Sequence, residues 1–260
     1  MAINLASIKR VSADRPPMIL IHGGPGIGKT TFAAAAPDAV FLRTEDGLGN
    51  LEASAFPLAK SFQDIMEALS SLYTEEHNFR WVVIDSLSAL EPLIWQAVAR
   101  AEGKNSVEDL SFGKGYVIAL DYWRQLLDGL SALATEKKIG VILIAHSDVV
   151  RYDSPEMEAY DRLQIKLHKR AFQLMYERCD VIGYAAPRVF LRKDGEGKSA
   201  RNLGVGSGER LLHLVEKPAF VAKNRYRLPE SLPLDWEVFH GALMAAVAPK
   251  PAAVPAAKAA

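Results

Sequence analysis

The stretch MILIHGGPGIGKTTFAAAA, residues 18–36, decides how the rest of the chain is interpreted. It begins with a continuous apolar run, which is typical of a buried strand, and it ends in residues that favour a helix. Between the two, Gly23 to Thr30 fits the pattern G-x-x-x-x-G-K-[ST] in the strand-to-helix context that this motif requires. The stretch therefore predicts a loop that binds the phosphates of a nucleotide. A glycine-rich turn without a ligand is the weaker alternative.

Each residue type in this loop has a task in phosphate binding. Glycines let backbone N–H groups curl around the phosphates, the lysine ammonium faces the terminal phosphates, and the threonine hydroxyl ligates magnesium. We therefore expect ATP and Mg²⁺ as cofactors, with Lys29 on the phosphates and Thr30 on the metal. The residues predicted to contact the nucleotide are Gly24, Pro25, Gly26, Ile27, Gly28, Lys29, Thr30 and Thr31.

Three further apolar runs alternate with amphipathic stretches. They are AVFLR from Ala39, WVVID from Trp81 and VILIA from Val141. Continuous apolar strands separated by helices are typical of a parallel sheet covered on both faces. After Arg188 the pattern changes to VFLRK, a turn at residues 194–197 and RLLHLVE, which predicts antiparallel strands at one edge. The predicted fold class is therefore α/β, with a mostly parallel central sheet flanked by helices and antiparallel strands at its C-terminal edge.

Acidic and imidazole side chains follow three of the predicted strands. Asp85 ends WVVID, where a carboxylate can hold magnesium through water, and Ser86 is the expected cap of the next helix. The alternative is that Asp85 only caps that helix. Glu45 follows AVFLR and is predicted to orient or deprotonate the attacking water, with Asp46 as its competitor. His146 ends VILIA, where it either touches the γ-phosphate or makes a structural hydrogen bond.

The composition limits the classes of protein that the chain can belong to. Its 260 residues, 49% of them hydrophobic, are enough for one substantial core. One cysteine, Cys179, excludes an internal disulfide framework, and neither a signal peptide nor a membrane span is present in the sequence. We therefore expect a cytoplasmic protein that does not enter the membrane. Lys+Arg and Asp+Glu are both 31, so any polyanion must be bound by local basic patches.

The order of these motifs resembles the RecA/Rad51 recombinase core, and within it the short phage-encoded RecA-like ATPases grouped with single-strand annealing proteins. The similarity covers residues 18–234. Glu45 in FLRTED matches the family's glutamate, and Asp85-Ser86 matches the Asp-Ser that ends its Walker B strand. His146 in ILIAHS stands where the family usually has a glutamine sensor. The resemblance implies catalytic roles for Lys29 and for these residues.

The resemblance also implies two mobile loops that bind single-stranded DNA. It places the first near residues 102–115 and the second near residues 147–167. The segment RLQIKLHKR is basic without an intervening acid, and Tyr152 and Tyr160 precede it as possible stacking surfaces. A solvated helical face explains this basic run equally well. The residues predicted to bind DNA are Lys104, Lys114, Arg151, Arg162, Lys166, Lys169 and Arg170.

Family recombinases insert basic residues from one subunit into the ATP site of the next. FVAKNRYRLP resembles that segment, so Lys223 and Arg225 are predicted to stabilise charge on the γ-phosphate of a neighbour. A surface basic strand is the alternative. The resemblance thus implies a homo-oligomer, as a ring or a filament, whose active site is completed between subunits.

The leading hypothesis is an ATP-dependent single-stranded DNA-binding protein of phage-type homologous recombination, with a single-strand-binding protein as a candidate partner. Annealing is favoured over long strand exchange because no polymerisation segment or second DNA-binding domain is recognisable in the sequence. The other classes are a helicase loader or AAA-type remodelling ATPase, a small-molecule kinase, and a nucleotide-gated binding module without turnover. The predicted divisions are an N-terminal extension at 1–17, the ATPase core at 18–244 and a disordered Ala/Pro/Lys tail at 245–260.

Overall fold

The structure, a computed structural model, describes residues 4–5, 15–155, 158–194 and 201–247. For residues 190–194 and 201–207 it describes the backbone alone. Among the helices in these ranges, none combines the length and the apolar character that crossing a bilayer requires.

Ten strands and six α-helices lie within the described ranges. The strands are β1 (Met18–Gly23), β2 (Ala39–Arg43), β3 (Ser54–Ala55), β4 (Trp81–Asp85), β5 (Gly140–Tyr152), β6 (Tyr160–Ile165), β7 (Val181–Asp194), β8 (Arg201–His213), β9 (Lys223–Asn224) and β10 (Ser231–Pro233). The helices are α1 (Lys29–Ala34), α2 (Phe62–Thr74), α3 (Leu87–Ala101), α4 (Lys114–Glu136), α5 (Lys169–Arg178) and α6 (Trp236–Val247).

The strands form one mixed sheet in the order β10-β8-β7-β1-β5-β4-β2-β3, with β6 paired to β5 and β9 paired to β7. Strands β7, β1, β5, β4, β2 and β3 run parallel to one another. Strands β8 and β10 are added antiparallel at the C-terminal edge. This arrangement confirms the predicted fold class, and it places the carboxyl ends of β1, β2, β4 and β5 at one edge of the sheet.

Alternate residues of the central strands pack into two apolar layers, one on each face of the sheet. On β1, Leu20 belongs to the layer covered by α2, α3, α4 and α5, whereas Ile19 and Ile21 belong to the layer covered by α1 and α6. All six residues of β1 and all five of β4 are buried. Burial on both faces explains why these strands have continuous apolar sequences.

Two features differ from the sequence predictions. Residues 147–152 and 160–165, predicted as part of a mobile loop, pair in an antiparallel hairpin, with Ser147 opposite Ile165 and Tyr152 opposite Tyr160. The first residues of the predicted tail, up to Val247, continue α6 because this helix packs Phe239 and Leu243 into the core. The rest of the tail, and the turn predicted at 195–197, lie outside the described residues.

Candidate nucleotide site

The glycine-rich loop connects the end of β1 to the start of α1. Gly28, which precedes the helix, has φ 105°, a conformation that residues with a side chain rarely adopt. Lys29 is buried, and its ammonium donates hydrogen bonds to the carbonyl oxygens of Gly23 at 3.0 Å and Gly24 at 2.9 Å. Burial lowers the pKa of Lys29, and the nearby carboxylates of Asp85 and Glu45 oppose that shift. The loop thus holds a cation directly above its own backbone.

Asp85 lies at the carboxyl end of β4, beside the first turn of α1. The Thr30 hydroxyl donates a hydrogen bond of 2.8 Å to Asp85 Oδ2. Asp85 is buried, and burial raises its pKa, while the hydrogen bond from Thr30 opposes the rise. Ser86 is the residue that caps α3, because its hydroxyl accepts the backbone N–H of Ala89 at 3.3 Å. The cap predicted at Ser86 is confirmed, so Asp85 is not the residue that caps α3.

The Thr30 and Asp85 oxygens suit magnesium. Mg²⁺ prefers hard oxygen ligands and is usually held by one or two protein side chains, with phosphate oxygens and water completing its shell. Within the described residues, no group of three or more His, Cys, Asp or Glu side chains is placed to hold a metal. Magnesium would therefore be held by Thr30 and, through water, by Asp85, together with the phosphates.

Glu45 and His146 come from neighbouring parts of the same sheet edge and meet over the loop. His146 Nε2 lies 3.2 Å from Glu45 Oε1. The side chain of Glu45 is 35% exposed, whereas that of Asp46 is 85% exposed and faces Arg43 at 3.9 Å. Both acids line the same cavity, so the choice between Glu45 and Asp46 as the residue that acts on the attacking water stays a prediction.

These side chains line one cavity of about 440 Å³ at the carboxyl edge of the sheet. Its size fits a nucleotide, since small-molecule sites usually measure about 300–1,000 Å³. The lining residues are Pro25, Gly26, Gly28, Lys29, Thr30, Thr31, Glu45, Asp46, Gly47, Leu48, Leu51, Asp85 and His146.

A ring of three hydrogen bonds joins this cavity to the basic segment that follows β6. The backbone N–H of His146 donates to Ser88 Oγ at 3.0 Å, and the Ser88 hydroxyl donates to the carbonyl oxygen of Lys166 at 3.0 Å. The backbone N–H of Lys166 closes the ring on the carbonyl oxygen of His146 at 2.8 Å. Ser88 belongs to α3, which starts next to Asp85, so three elements of the site meet in this ring.

Besides Gly47, Leu48 and Leu51, which line the cavity, sequence reasoning missed two polar residues at the site. One is Ser88, which no motif distinguishes from other serines in a first helical turn. The other is Arg210 on β8, whose Nη1 donates to the carbonyl oxygen of Ile27 at 3.2 Å. The sequence placed Arg210 only in a predicted edge strand. Its contact with the loop joins two residues that are far apart in the sequence, and no local pattern predicts such a contact.

The predicted DNA-binding residues divide into two groups. Within the described part of the chain, Lys104, Lys114, Lys166, Lys169 and Arg170 are exposed and form no ion pair. Arg162 instead pairs with Glu216 and lies 4.8 Å from the centre of the Tyr152 ring. Arg151 pairs with Asp161 at 3.6 Å, with both side chains exposed. Arg162, whose side chain is 10% exposed, is the least accessible member of the set.

One aromatic stack joins the residues that immediately follow the two predicted DNA-binding segments. Tyr116, in the first turn of α4, stacks on His168 with ring centres 4.4 Å apart and planes 9° apart. Lys114 precedes this stack, and Lys169 and Arg170 follow it at the start of α5. The structure therefore places exposed cations from both segments on one side of the molecule.

Lys223 and Arg225 lie at the opposite edge of the sheet. Lys223 donates to the carbonyl oxygens of Tyr176 and Glu177, and Arg225 Nη1 pairs with Asp180 at 3.1 Å. Asp180 also accepts the backbone N–H of Met18 at the amino end of β1. Neither cation reaches the glycine-rich loop of its own chain, so their predicted role in a neighbouring subunit stays a prediction.

The fold and the site define a P-loop ATPase built on a mostly parallel sheet. The chain belongs to the AAA domain family, which matches residues 15–226. No curated protein matches it. Among solved structures it is similar to the one titled "Crystal structure of the RadB recombinase", with 19% identity over 84% of this chain and 86% of that chain and a TM-score of 0.43.

Proposed function

We propose that the chain is an ATP-dependent single-stranded DNA-binding protein that promotes annealing or strand pairing in homologous recombination of the phage type. The observation that carries the proposal is the hydrogen-bonded ring of Ser88, His146 and Lys166. It joins the wall of the nucleotide cavity to the segment that leads to Lys169 and Arg170, which form no ion pair within the described part of the chain. A change at the terminal phosphate that moves His146 therefore also moves this basic segment.

The residues of the cavity divide the chemistry of hydrolysis among them. Lys29 faces the terminal phosphates and stabilises the charge that develops on the transferred group. Glu45 orients the attacking water and accepts its proton, and the adjacent His146 fixes the direction of the Glu45 carboxylate. Magnesium, when bound at Thr30 and Asp85, neutralises charge on the phosphate oxygens.

The proposal includes assembly into a homo-oligomer with head-to-tail contacts. Such contacts bring unlike surfaces together, so the P-loop edge of one subunit meets a different surface of the next. Arg225 is engaged by its own chain but its side chain is still 49% exposed, at the edge of the sheet away from the P-loop. It is thus accessible to a neighbour, in which we propose that it stabilises the γ-phosphate together with Lys223.

A helicase loader or other AAA-type remodelling ATPase is the alternative in DNA replication. A remodelling ATPase of that type needs a helical lid after the sheet, with a phosphate-sensing arginine. In the described ranges after Arg188 the chain forms β8, β9 and β10 and one helix, α6, which packs into the core. This arrangement favours the recombination proposal.

The proposal is tested by measuring ATP turnover with and without single-stranded DNA. Wild-type protein is expected to hydrolyse ATP faster when the strand is present. Lys29→Ala should lose at least about a hundredfold in turnover under both conditions, because it removes the cation facing the terminal phosphates. Lys60→Ala, an exposed lysine outside the cavity, is the matched control.

Ser88→Ala tests the ring itself. It removes the hydroxyl that links His146 to Lys166 and leaves every side chain of the cavity in place. We expect basal turnover close to that of wild type and a reduced response to the strand, with Ser70→Ala on the exposed face of α2 as control. A full response in Ser88→Ala would contradict the proposed route of coupling.

A further inference from the structure

An arginine from the antiparallel edge of the sheet lies against the outside of the glycine-rich loop. Arg210, on β8, is exposed, and its Nη1 donates a hydrogen bond of 3.2 Å to the carbonyl oxygen of Ile27. The same nitrogen is so close to the loop that a Cβ added at Gly28 would lie 2.5 Å from it. No described acid forms an ion pair with Arg210. The guanidinium is thus directed at the backbone of the loop and not at a carboxylate.

The backbone around Arg210 holds this side chain in place. The backbone N–H of Leu234 donates to the carbonyl oxygen of Arg210 at 2.9 Å, and Arg210 lies opposite Pro187 in the pairing of β8 with β7. Strand β7 in turn pairs with β1, which leads into the loop. The contact between Arg210 and Ile27 therefore joins two parts of one hydrogen-bonded sheet.

The contact fixes the orientation of one peptide unit in the loop. The Ile27–Gly28 peptide is trans, so its carbonyl oxygen and its N–H point in opposite directions. Gly28 lines the nucleotide cavity, whereas the carbonyl oxygen of Ile27 faces Arg210 on the outside of the loop. The N–H of Gly28 is thereby turned toward the cavity, where the backbone N–H groups of such a loop bind phosphate oxygens.

Nothing in the local conformation of the loop would keep this peptide in place without the arginine. Gly28 has φ 105°, and glycine adopts positive and negative φ with similar ease. A peptide next to such a residue can turn over, which would present the carbonyl oxygen of Ile27 to the phosphates and withdraw a donor from them. We propose that Arg210 is a positioning residue, which holds the Ile27–Gly28 peptide in its phosphate-binding orientation before a nucleotide arrives.

This inference goes beyond the proposed function and depends on nucleotide binding alone, so it is tested without DNA. The experiment measures the affinity of wild type and Arg210→Ala for ADP and ATP with magnesium by calorimetry, together with steady-state turnover of ATP. A hydrogen bond to a charged group changes an equilibrium constant by about tenfold to a hundredfold, and Arg210→Ala should lose about this much affinity for both nucleotides. KM should rise while kcat stays near that of wild type, as expected when ground-state and transition-state binding are weakened equally.

The comparison of the two nucleotides separates the orientation of the peptide from a simple effect of charge. ATP carries more negative charge than ADP, so an attraction through space between the guanidinium and the phosphates would favour ATP. The backbone of the loop binds the α- and β-phosphates, which both nucleotides possess. Loss of the peptide orientation should therefore weaken ADP and ATP by the same factor.

Two further substitutions and a control separate the hydrogen bond from packing. Arg210→Met keeps much of the aliphatic side chain without a donor and should lose affinity as Arg210→Ala does. Arg210→Lys keeps a cationic donor and should recover part of the lost affinity. Arg188→Ala is the matched control, because Arg188 is an exposed arginine of β7 that pairs with Glu209 at 2.7 Å, and it should bind both nucleotides as wild type does. Urea unfolding without nucleotide should give every variant the midpoint of wild type.

Each outcome decides the question. Equal losses for ADP and ATP in Arg210→Ala and Arg210→Met, with partial recovery in Arg210→Lys and kcat near that of wild type, support the assignment. A larger loss for ATP than for ADP would make Arg210 a charge that acts on the phosphates through space. Full affinity in Arg210→Met, or a lowered unfolding midpoint in the variants that lose affinity, would reduce its role to packing.

The remaining outcomes concern wild type and the loop itself. Unchanged affinities in all three variants would show that the loop keeps its orientation without Arg210. If wild type bound neither nucleotide, the nucleotide site would fail and the role of Arg210 with it. A wild-type protein that binds nucleotide but no single strand would contradict the proposed function and leave the assignment of Arg210 standing.

Discussion

The two ends of helix α5 each meet a buried carboxylate, and the two carboxylates are stabilised in different ways. At the end of α5, Asp180 pairs with Arg15 at 3.0 Å and Arg225 at 3.1 Å. At its start, Glu91 accepts the backbone N–H of His168, at 3.0 Å from each oxygen. One carboxylate is thus held by cations, and the other is buried without a cationic partner among the described residues.

The basic side chains at the two ends of α5 also differ in whether they already have partners, and this affects how readily they can bind a ligand. At the end of α5, Arg225 and Lys223 already have acceptors within their own chain, so binding a new anion requires an exchange of partners. At the start of α5, Lys169 and Arg170 have no acidic partner among the described residues, so a polyanion can bind them without breaking a native contact. The two regions differ in whether their basic side chains already have hydrogen-bond or ion-pair partners, and not in how many basic residues the sequence has there.

The largest effect is expected at the end of α5. Arg225→Ala should bind ATP nearly normally but hydrolyse it about 10³ to 10⁵ times more slowly, the range known for arginine fingers supplied by a neighbour. The variant should still fold, since Asp180 keeps Arg15 and the backbone N–H of Met18 as partners. The measurements are ATP affinity and turnover at a protein concentration that permits assembly.

Mixing two inactive variants tests whether Arg225 acts on the ATP of a neighbouring subunit or only within its own subunit. In a mixture of Lys29→Ala and Arg225→Ala, about a quarter of the head-to-tail junctions should join an intact P-loop to an intact Arg225, provided that both variants assemble equally. Recovered turnover supports the arrangement between subunits. If mixed oligomers form without recovery, Arg225 serves only the network around Asp180.

A smaller effect is expected at the start of α5. Replacing Lys166, Lys169 and Arg170 together with alanine should weaken binding to all single strands and flatten its dependence on salt. Each lost phosphate contact lowers the slope of log affinity against log salt by about 0.7, so the triple variant should lose about 2. Arg162→Ala is the comparison, because Arg162 is already engaged by Glu216 and should change the slope little. An unchanged slope in the triple variant would return this segment to an ordinary solvated surface.

The sequence predicted those features that depend on residues close together in the chain. The strand, loop and helix around Lys29 are contiguous, so the motif located the nucleotide site, and the position of Asp85 at a strand end followed from the same pattern. The antiparallel edge after Arg188 was likewise predicted from local turn and strand signals. Both were accessible because periodicity and motif spacing are local properties of the chain.

The features that sequence reasoning missed depend on contacts between distant residues. Ser88 contacts Lys166 across 78 positions, and Arg210 contacts Ile27 across 183. The hairpin of β5 and β6 was expected to be a mobile loop because the resemblance placed the family's second loop near residues 147–167, which are rich in polar residues. Arg162 illustrates the same limit, since its engagement with Glu216 is visible only after β6 and the segment following β8 come together.

The smallest expected effect is a change in the free energy of unfolding with pH, and it depends on Glu91. Burial raises the pKa of Glu91 from 4.5 to about 7, with the His168 hydrogen bond opposing the rise. The folded protein therefore binds more protons than the unfolded chain between these two values, and the free energy of unfolding decreases as the pH rises through this window. His22 has the opposite effect, because burial lowers its pKa to about 4, so its contribution is lost as the pH falls below 6.5.

The variant Glu91→Gln isolates the contribution of Glu91 to the pH dependence, because it removes this titrating group and leaves His22 unchanged. The difference in unfolding free energy between Glu91→Gln and wild type should increase in favour of the variant from pH 4.5 to 7, by on the order of 2–3 kcal/mol, and then level off. Urea unfolding at a series of pH values measures this difference. A flat difference would mean that burial does not keep Glu91 protonated in the folded protein.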